Sequence, residues 1–300
     1  MGVRKVKGER SKVKGICLAL FCLFVSSSAI AGDGHLILYN YHLDEVIDVQ
    51  YKTPKGYDRA ALQKINHLMR SPDDKEFAIP VALIELIDDI QDHFGADAVE
   101  IISGYRSPTY NGELKKGGRN VANESLHKQG IAADIHIDEV TEEALKNYAE
   151  SLKKGGVGYY PVYDFVHLDL GPVRTWGEAK KKERILVGTE ANPNNAWRAV
   201  TSSNEYRKGD SIEVSVTNVT YETAKITKNI WYEHFRKGKW AEHEVLEKDK
   251  KAHIVKPGKS VDYKFATGEL PYGKYRLVIF TSEDFNVPPV ISNEFYIKKE

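Results

Sequence analysis

Apolar and polar residues alternate through LILYNYHLDEVIDVQYK on either side of a His42-Leu43-Asp44-Glu45 turn, the pattern of a β-hairpin over residues 35–52. The period then changes. Ala61, Leu62, Ile65 and Leu68 recur at helical spacing, predicting a helix over residues 58–70. Leu83, Ile84, Ile87 and Ile90 predict a second over 80–94, with Pro80 to start it and Gly95 to stop it. A short strand over 98–103 breaks at Gly104-Tyr105-Arg106-Ser107-Pro108, and a short helix with a polar loop fills 111–118. A strand at 131–137 precedes the helix TEEALKNYAESLKK, which has acids in its first turn and lysines in its last. Strands follow at 157–160 and 165–170. Strands and helices mix without βαβ regularity, so the expectation is an α+β domain with a mainly antiparallel sheet.

Helical periodicity stops near residue 180. Residues 178–183 form a charge run, read as a solvated linker or helix end, and Asn192-Pro193-Asn194-Asn195 is turn chemistry. Beyond it, SIEVSV, KITKNIWYEHF, SVDYKF, YRLVIFT and EFYI are short strand-like runs separated by turn pairs such as Lys237-Gly238 and Pro257-Gly258. That spacing predicts an all-β immunoglobulin-like sandwich over 196–300, joined by a linker at 181–195 to a domain spanning 32–180.

The first 31 residues have a different character. Six basic residues and one acid precede the apolar run 16–25, and Ala29-Ile30-Ala31 closes the segment. Basic, apolar and A-x-A stretches in that order make a secretory signal peptide cleaved before Gly32, and the ten-residue run is half of what a membrane span needs (about 20). The expected location is periplasmic or extracellular. Both cysteines, Cys17 and Cys22, fall in this segment, so the mature chain has no disulfide and no thiolate ligand. Removing six basic residues and one acid from the balanced 43 and 43 leaves 37 against 42, a net −5. A weakly acidic chain is poorly suited to nonspecific nucleic-acid binding. No later apolar stretch is long enough to cross a bilayer.

Candidate chemistry concentrates in Ser125-Leu126-His127-Lys128-Gln129-Gly130-Ile131-Ala132-Ala133-Asp134. His127 enters a strand, Asp134 lies in it, and His167 sits in a strand of its own within Phe165-Val166-His167-Leu168-Asp169. Imidazoles and a carboxylate suit zinc. Spacing alone leaves the reading open, because a strand histidine is more often a hydrogen-bonded structural residue.

The motif Ser-x-His-x-x-Gly-x-Ala-x-Asp with a later histidine resembles the zinc D-Ala-D-Ala metallopeptidase superfamily. Its murein endopeptidase branch is the nearest, on ISGYRS (102–107), GGVGYYP (155–161), FVHLDLGPVRTW (165–176) and the early hairpin. The likeness covers roughly residues 35–176. It implies a peptidase acting on peptidoglycan stem peptides or cross-links, with Zn2+ held by His127, Asp134 and His167. Trimming of terminal residues by a D,D- or L,D-carboxypeptidase or dipeptidase stays open, as does a peptidoglycan-binding protein without turnover.

Such a peptidase needs a proton acceptor beside the metal. Asp164 stands three residues before His167, and Asp169 two after it on the same strand face. Asp169 is favoured as the acid required for activity, as base or as the acceptor that orients a histidine; the other reading of Asp164 is a turn residue. Arg106, after a strand, is placed to stabilise an oxyanion or grip a carboxylate. His136 shares a face with Asp134 and is either a hydrogen-bonding neighbour of the site or structural. Tyr159 and Tyr160 line a groove or pack. In the sandwich, His234, His243 and His253 are expected to be exposed, and Trp231, Tyr232, Phe235 and Trp240 to be core and strand-pair residues. That domain is expected to be a spacer or a docking surface for a protein or glycan partner.

Overall fold

A computed structural model describes residues 32–117, 125–177, 186, 191–268, 270–282 and 287–299. The expected signal peptide and the charge run at 178–183 lie outside the described residues.

The hairpin forms from β1 (His35–Asn40) and β2 (Glu45–Gln50), followed by a small ribbon of β3 (Lys52–Thr53) and β4 (Gly56–Tyr57). Asp58 starts α1 (Arg59–Leu68) by accepting from the amides of Ala60 and Ala61 at 2.7 and 3.0 Å. Helix α2 (Val81–Phe94) follows Pro80 and ends at Gly95, whose φ of 56° is the left-handed cap. Strand β5 (Val99–Ser103) leads to α3 (Pro108–Lys116). That helix begins earlier than the apolar pattern indicates, because Ser107 Oγ accepts from the Tyr110 amide at 3.0 Å and Pro108 sits in the first turn. Next come β6 (Ala132–His136), α4 (Glu142–Leu152) capped by Thr141, β7 (Gly156–Tyr160), β8 (Phe165–Asp169) and β9 (Arg174–Gly177).

Seven of these strands form one sheet in the order β2-β1-β5-β6-β8-β7-β9. The β1/β5 and β7/β9 pairs are parallel and the other four antiparallel. Leu36, Leu38, Ile101, Ile135, Val166 and Leu168 pack with Ile65, Leu83, Ile87 and Leu145 of the helices in one buried core. Helices therefore cover one face of the sheet, and the alternate side chains are left for the other.

The second half consists of β10 (Trp197–Thr201), β11 (Glu205–Arg207), β12 (Ser211–Asn218), β13 (Ala224–Arg236), β14 (Lys239–Val255), β15 (Ser260–Ala266), β16 (Gly273–Phe280), β17 (Val290–Ile291) and β18 (Phe295–Lys298). Two sheets, β10-β12-β15 and β11-β18-β16-β13-β14, enclose Trp197, Val214, Ile230, Tyr275, Leu277 and Phe295. Phe235 and Trp240 face each other across β13 and β14 with ring centroids 5.1 Å apart. His234 departs from the expectation of exposure. It is buried, stacks on Tyr275 at 4.3 Å and accepts from Arg236 Nε at 2.9 Å, because its strand position faces β16 rather than water.

The two halves are joined by specific contacts. Thr141 Oγ1 and the Thr141 amide both donate to the Val219 carbonyl, at 3.0 and 3.2 Å, and the Val219 side chain belongs to the first core. Tyr221 Oη donates to Glu142 at 2.9 Å, and Asn147 donates to the Pro257 carbonyl at 3.1 Å. Gly258 then passes over α4 with φ +70°, where an added Cβ would stand 2.2 Å from the Ala144 carbonyl. Gly258→Ala should therefore wedge the junction and destabilise the whole chain by about 1–3 kcal/mol. Thermal unfolding measures it; an unchanged midpoint would show that the halves do not depend on this contact.

Candidate metal centre

Strand register assembles the site. Asp134 on β6 lies opposite His167 on β8, and His167 lies opposite Gly158 on β7. Alternation sends Ala133, Ile135, Val166 and Leu168 into the core and turns Asp134, His167 and Asp169 to the other face. Glycines on β7 leave space there: a Cβ on Gly158 would come 2.9 Å from ring atoms of Trp176 and Tyr160. On the far side, Ser103 neighbours Asp134 where the β5–β6 register shifts, a bulge of the kind that re-aims side chains.

His127 reaches the same point from a 3₁₀ turn, Leu126–Gln129, closed by Gly130 at φ +69°. Its Nδ1 lies 2.7 Å from the Gly104 carbonyl oxygen. A carbonyl only accepts, so Nδ1 carries the hydrogen and Nε2 turns its lone pair toward Asp134 and His167. His167 is held the opposite way round. Its Nε2 lies 3.2 Å from Asp169 Oδ2, and its Nδ1 lies 2.8 Å from Asp134 Oδ1.

His127 Nε2, Asp134 Oδ1 and His167 Nδ1 thus form a triangle with edges of 2.8, 3.2 and 3.3 Å. A tetrahedral zinc with bonds of about 2.0–2.1 Å needs ligand–ligand edges of about 3.3–3.4 Å. The residues fit such an ion with little adjustment. Protonation favours the same state at His127 and Asp134. Burial pushes His127 below its ordinary pKa despite the carboxylate beside it. Burial opposes ionisation of Asp134, but the two imidazoles outweigh it and hold the acid well below the usual carboxylate range. For His167 burial is offset by Asp134 and Asp169, which raise it.

Arg106 Nη2 bonds Asp134 Oδ2 at 2.5 Å while its Nε bonds Ser103 Oγ at 2.7 Å, so the guanidinium holds the carboxylate oxygen that the triangle does not use. Asp169 is fully buried. Besides His167, it accepts from Arg174 twice, at 3.0 and 2.7 Å, and from the amides of Gly171 and Gly156 at 2.7 and 3.2 Å. These donors outweigh the burial penalty and keep it ionised far below the ordinary range. Arg174 also lies 4.6 Å over the Trp176 ring, which sits 5.2 Å from the His167 ring and donates from Nε1 to Tyr160 Oη at 2.8 Å.

The remaining candidates separate. Asp164 occupies the left-handed turn before β8 at φ 56° and is half-buried. His136 lies further along β6 with Asp138 and Glu142 each 3.4 Å from its ring nitrogens, outside the three-residue cluster. Tyr159 is buried beside Lys146 of α4, whereas Tyr160 stacks on Phe165 at 4.8 Å. Sequence reasoning assigned no role to Gly104, Arg174 or Trp176. Alternation through Arg174–Trp176 held a signal, since it puts both side chains on one face, but only the parallel β7/β9 pairing shows that this face carries the site.

Residues 28–176 match the family described as peptidoglycan L,D-endopeptidase MepK. The peptidoglycan L,D-endopeptidase MepK of Escherichia coli (strain K12) is 38% identical over 143 residues, which are 47% of this chain and 79% of that protein. The chain belongs to the MepK family. A second relative, the probable peptidoglycan L,D-endopeptidase MepK of Haemophilus influenzae, is 37% identical over 144 residues, covering 47% of this chain and 77% of its own. The MepK segment takes in the whole seven-stranded sheet up to Trp176, and residues 193–286 match a bacterial Ig-like domain instead.

One bound zinc per chain is the expected outcome for the MepK segment. His127→Ala and His167→Ala should each drop zinc content below stoichiometric, read by elemental analysis after dialysis. Full zinc in either variant would remove that histidine from the ligand set.

Proposed function

We propose that this chain is an exported, zinc-dependent peptidase that hydrolyses peptide bonds in peptidoglycan stem peptides or cross-links. The triangle of His127 Nε2, Asp134 Oδ1 and His167 Nδ1 within the MepK segment carries the reading. Zinc held by these three atoms supplies Lewis acidity, polarising a carbonyl and making water acidic enough to act near neutral pH. The protein's own groups do the rest. Gly104 and Asp169 fix the ring orientations of His127 and His167 from behind, and Arg106 fixes Asp134.

Asp169 is the acid that the strand pattern favours as required for activity, and the geometry makes that requirement one of positioning. Five donor contacts occupy its oxygens, so none is left to take a proton from water. Asp164, half-buried at the mouth of β8, is the acid of the pair with access to solvent and is assigned the proton-acceptor role. Arg106, 14% exposed at its side chain, is the cation beside the metal triangle and suits charge that develops on a carbonyl oxygen.

The relatives' name gives the bond class to test, an L,D-endopeptidic one. The basic, apolar and A-x-A segment ahead of Gly32 supports export to the compartment that holds this substrate. Among the described residues no helix is long and apolar enough to cross a membrane.

Mass spectrometry of muropeptides after digestion should show cross-linked species split within their peptide bridge, and chelation of the metal should abolish this. Release of terminal residues alone would assign a carboxypeptidase. Asp164→Asn should lower turnover by at least about 10²-fold with zinc content intact. Asp169→Asn should lower metal affinity and activity together by about 10–100-fold. A zinc-replete but inactive Asp169 variant beside a normally active Asp164 variant would reverse the two roles.

A further inference from the structure

A second acidic cluster lies away from the metal centre, on the side of α2 that meets the start of the chain. Asp33, Asp88 and Asp92 bring carboxylate oxygens within 4.8 Å of one another, and Asp89 adjoins them. Asp88 is fully buried. Its Oδ2 accepts from Tyr51 Oη at 2.7 Å and from the Gly34 amide at 3.0 Å, yet its Oδ1 is buried with no hydrogen-bond partner. Among the described residues no lysine, arginine or histidine forms an ion pair with Asp88, Asp89 or Asp92. Burying carboxylates without a cation is costly. Burial, with the neighbouring acids, accordingly pushes Asp88 up to about 6 and Asp92 to about 7.

What enters this cluster is the backbone of residues 32–34. The Gly32 nitrogen lies 2.6 Å from Asp89 Oδ1, and the Asp33 nitrogen 2.7 Å from Asp92 Oδ2. Gly32 sits so close that a Cβ there would stand 2.1 Å from Asp88 Oδ2, so the position accepts no side chain. The A-x-A triplet ends at Ala31, one residue before this nitrogen. A cleavage motif and an uncompensated buried acid thus meet at one residue: the Gly32 nitrogen bonds Asp89, and its α-carbon lies against Asp88.

Building on the export assignment above, we propose that the acidic cluster of Asp88, Asp89 and Asp92 is the binding site for the α-ammonium group of Gly32, created when the signal peptide is cut after Ala31. Before cleavage the Gly32 nitrogen is an amide with one hydrogen and no charge. Hydrolysis of the Ala31–Gly32 bond leaves a carboxylate on Ala31, which departs with the leader, and an amine on Gly32 that takes up a proton. The ammonium then offers three N–H donors and a full positive charge within reach of Asp89 Oδ1 and beside the Asp88 carboxylate. Strand β1 follows directly and pairs with β5, so the charged anchor strengthens the tie between the sheet and α2 in the processed chain.

The test compares three forms of the chain ending at residue 300, released from a cleavable fusion so that the first residue is set by design. One begins at Gly32, one begins at Gly32 with its amine acetylated, and one retains residues 26–31 ahead of it. The free-amine form should melt at least about 4 °C above the other two. Its α-amino group, followed by NMR of labelled glycine, should titrate at about 9 or higher against an ordinary 7.7–8.0. Asp89→Asn, at a half-buried position that tolerates the change, should shrink the melting difference by at least half. Equal melting of all three forms with an ordinary α-amino titration would overturn the assignment. So would calcium or magnesium chloride, against EDTA, raising the acetylated form as far as the free amine does, since the cluster would then be a divalent-cation site. None of these outcomes depends on muropeptide hydrolysis or on where the export peptidase cuts. N-terminal sequencing of the secreted protein judges that step by itself, with Gly32 expected first and any other residue overturning the link to processing.

Discussion

Asp169 has no access to water, and the candidate site is arranged around that fact. A carboxylate buried this deeply is tolerated only if donors replace its hydration, and removing one partner of a buried pair typically costs about 3–5 kcal/mol. Here the donors come from three directions: His167 on its own strand, Arg174 on β9 and the amides of Gly156 and Gly171. Satisfying Asp169 therefore fixes where β7, β8 and β9 lie relative to one another. It also sets which nitrogen of His167 carries hydrogen, and so which is free to face Asp134. Trp176 and Gly158 follow from the same arrangement, the ring covering His167 and the glycine leaving room for it.

The sheet divides the molecule by chemistry. Its apolar face is covered by α1, α2 and α4, and the sandwich domain docks onto α4 through Val219, Tyr221 and Pro257. Asp134, His167 and Asp169 occupy the other face. Stabilising burial and ligand chemistry thus draw on alternate residues of the same strands, and a change on one set need not disturb the other. Strand β6 shows the limit of that freedom: all five of its residues are buried, so its polar positions must find partners within the protein.

Much of this was legible from one-dimensional pattern. Helices α1 and α2 announced themselves by apolar spacing, α2 also by Pro80 at its start, and α4 by the charges at its two ends, because end signals and periodicity are local. The hairpin was equally local. His127, Asp134 and His167 were found through a motif, but the motif did not contain the reason they meet, which is the register Asp134–His167 across β6 and β8. Contacts set by pairing between distant strands were hidden for the same reason. Arg174 shows no link to Asp169 until β9 is placed beside β7, and His234 reads as exposed until β13 is paired with β16. The choice between Asp164 and Asp169 was closed to sequence because both acids flank the same histidine, and what the fold adds is the set of five donor contacts around the buried Asp169.

Buried acids across the MepK segment also explain why the N-terminal cluster stands apart. Asp134 is met by Arg106 and two imidazoles, Asp169 by Arg174 and His167, and both are held ionised against the cost of burial. Asp88 is buried as completely, yet its donors are neutral, and its carboxyl is driven the other way. The same desolvation acts at all three positions, so the difference lies in the cation. Where the described side chains supply one, the acid serves as a fixed negative charge that orients its neighbours. Where they do not, the acid remains an unmet demand for positive charge, and the Gly32 nitrogen, which bonds the adjacent Asp89, is the group proposed to meet it.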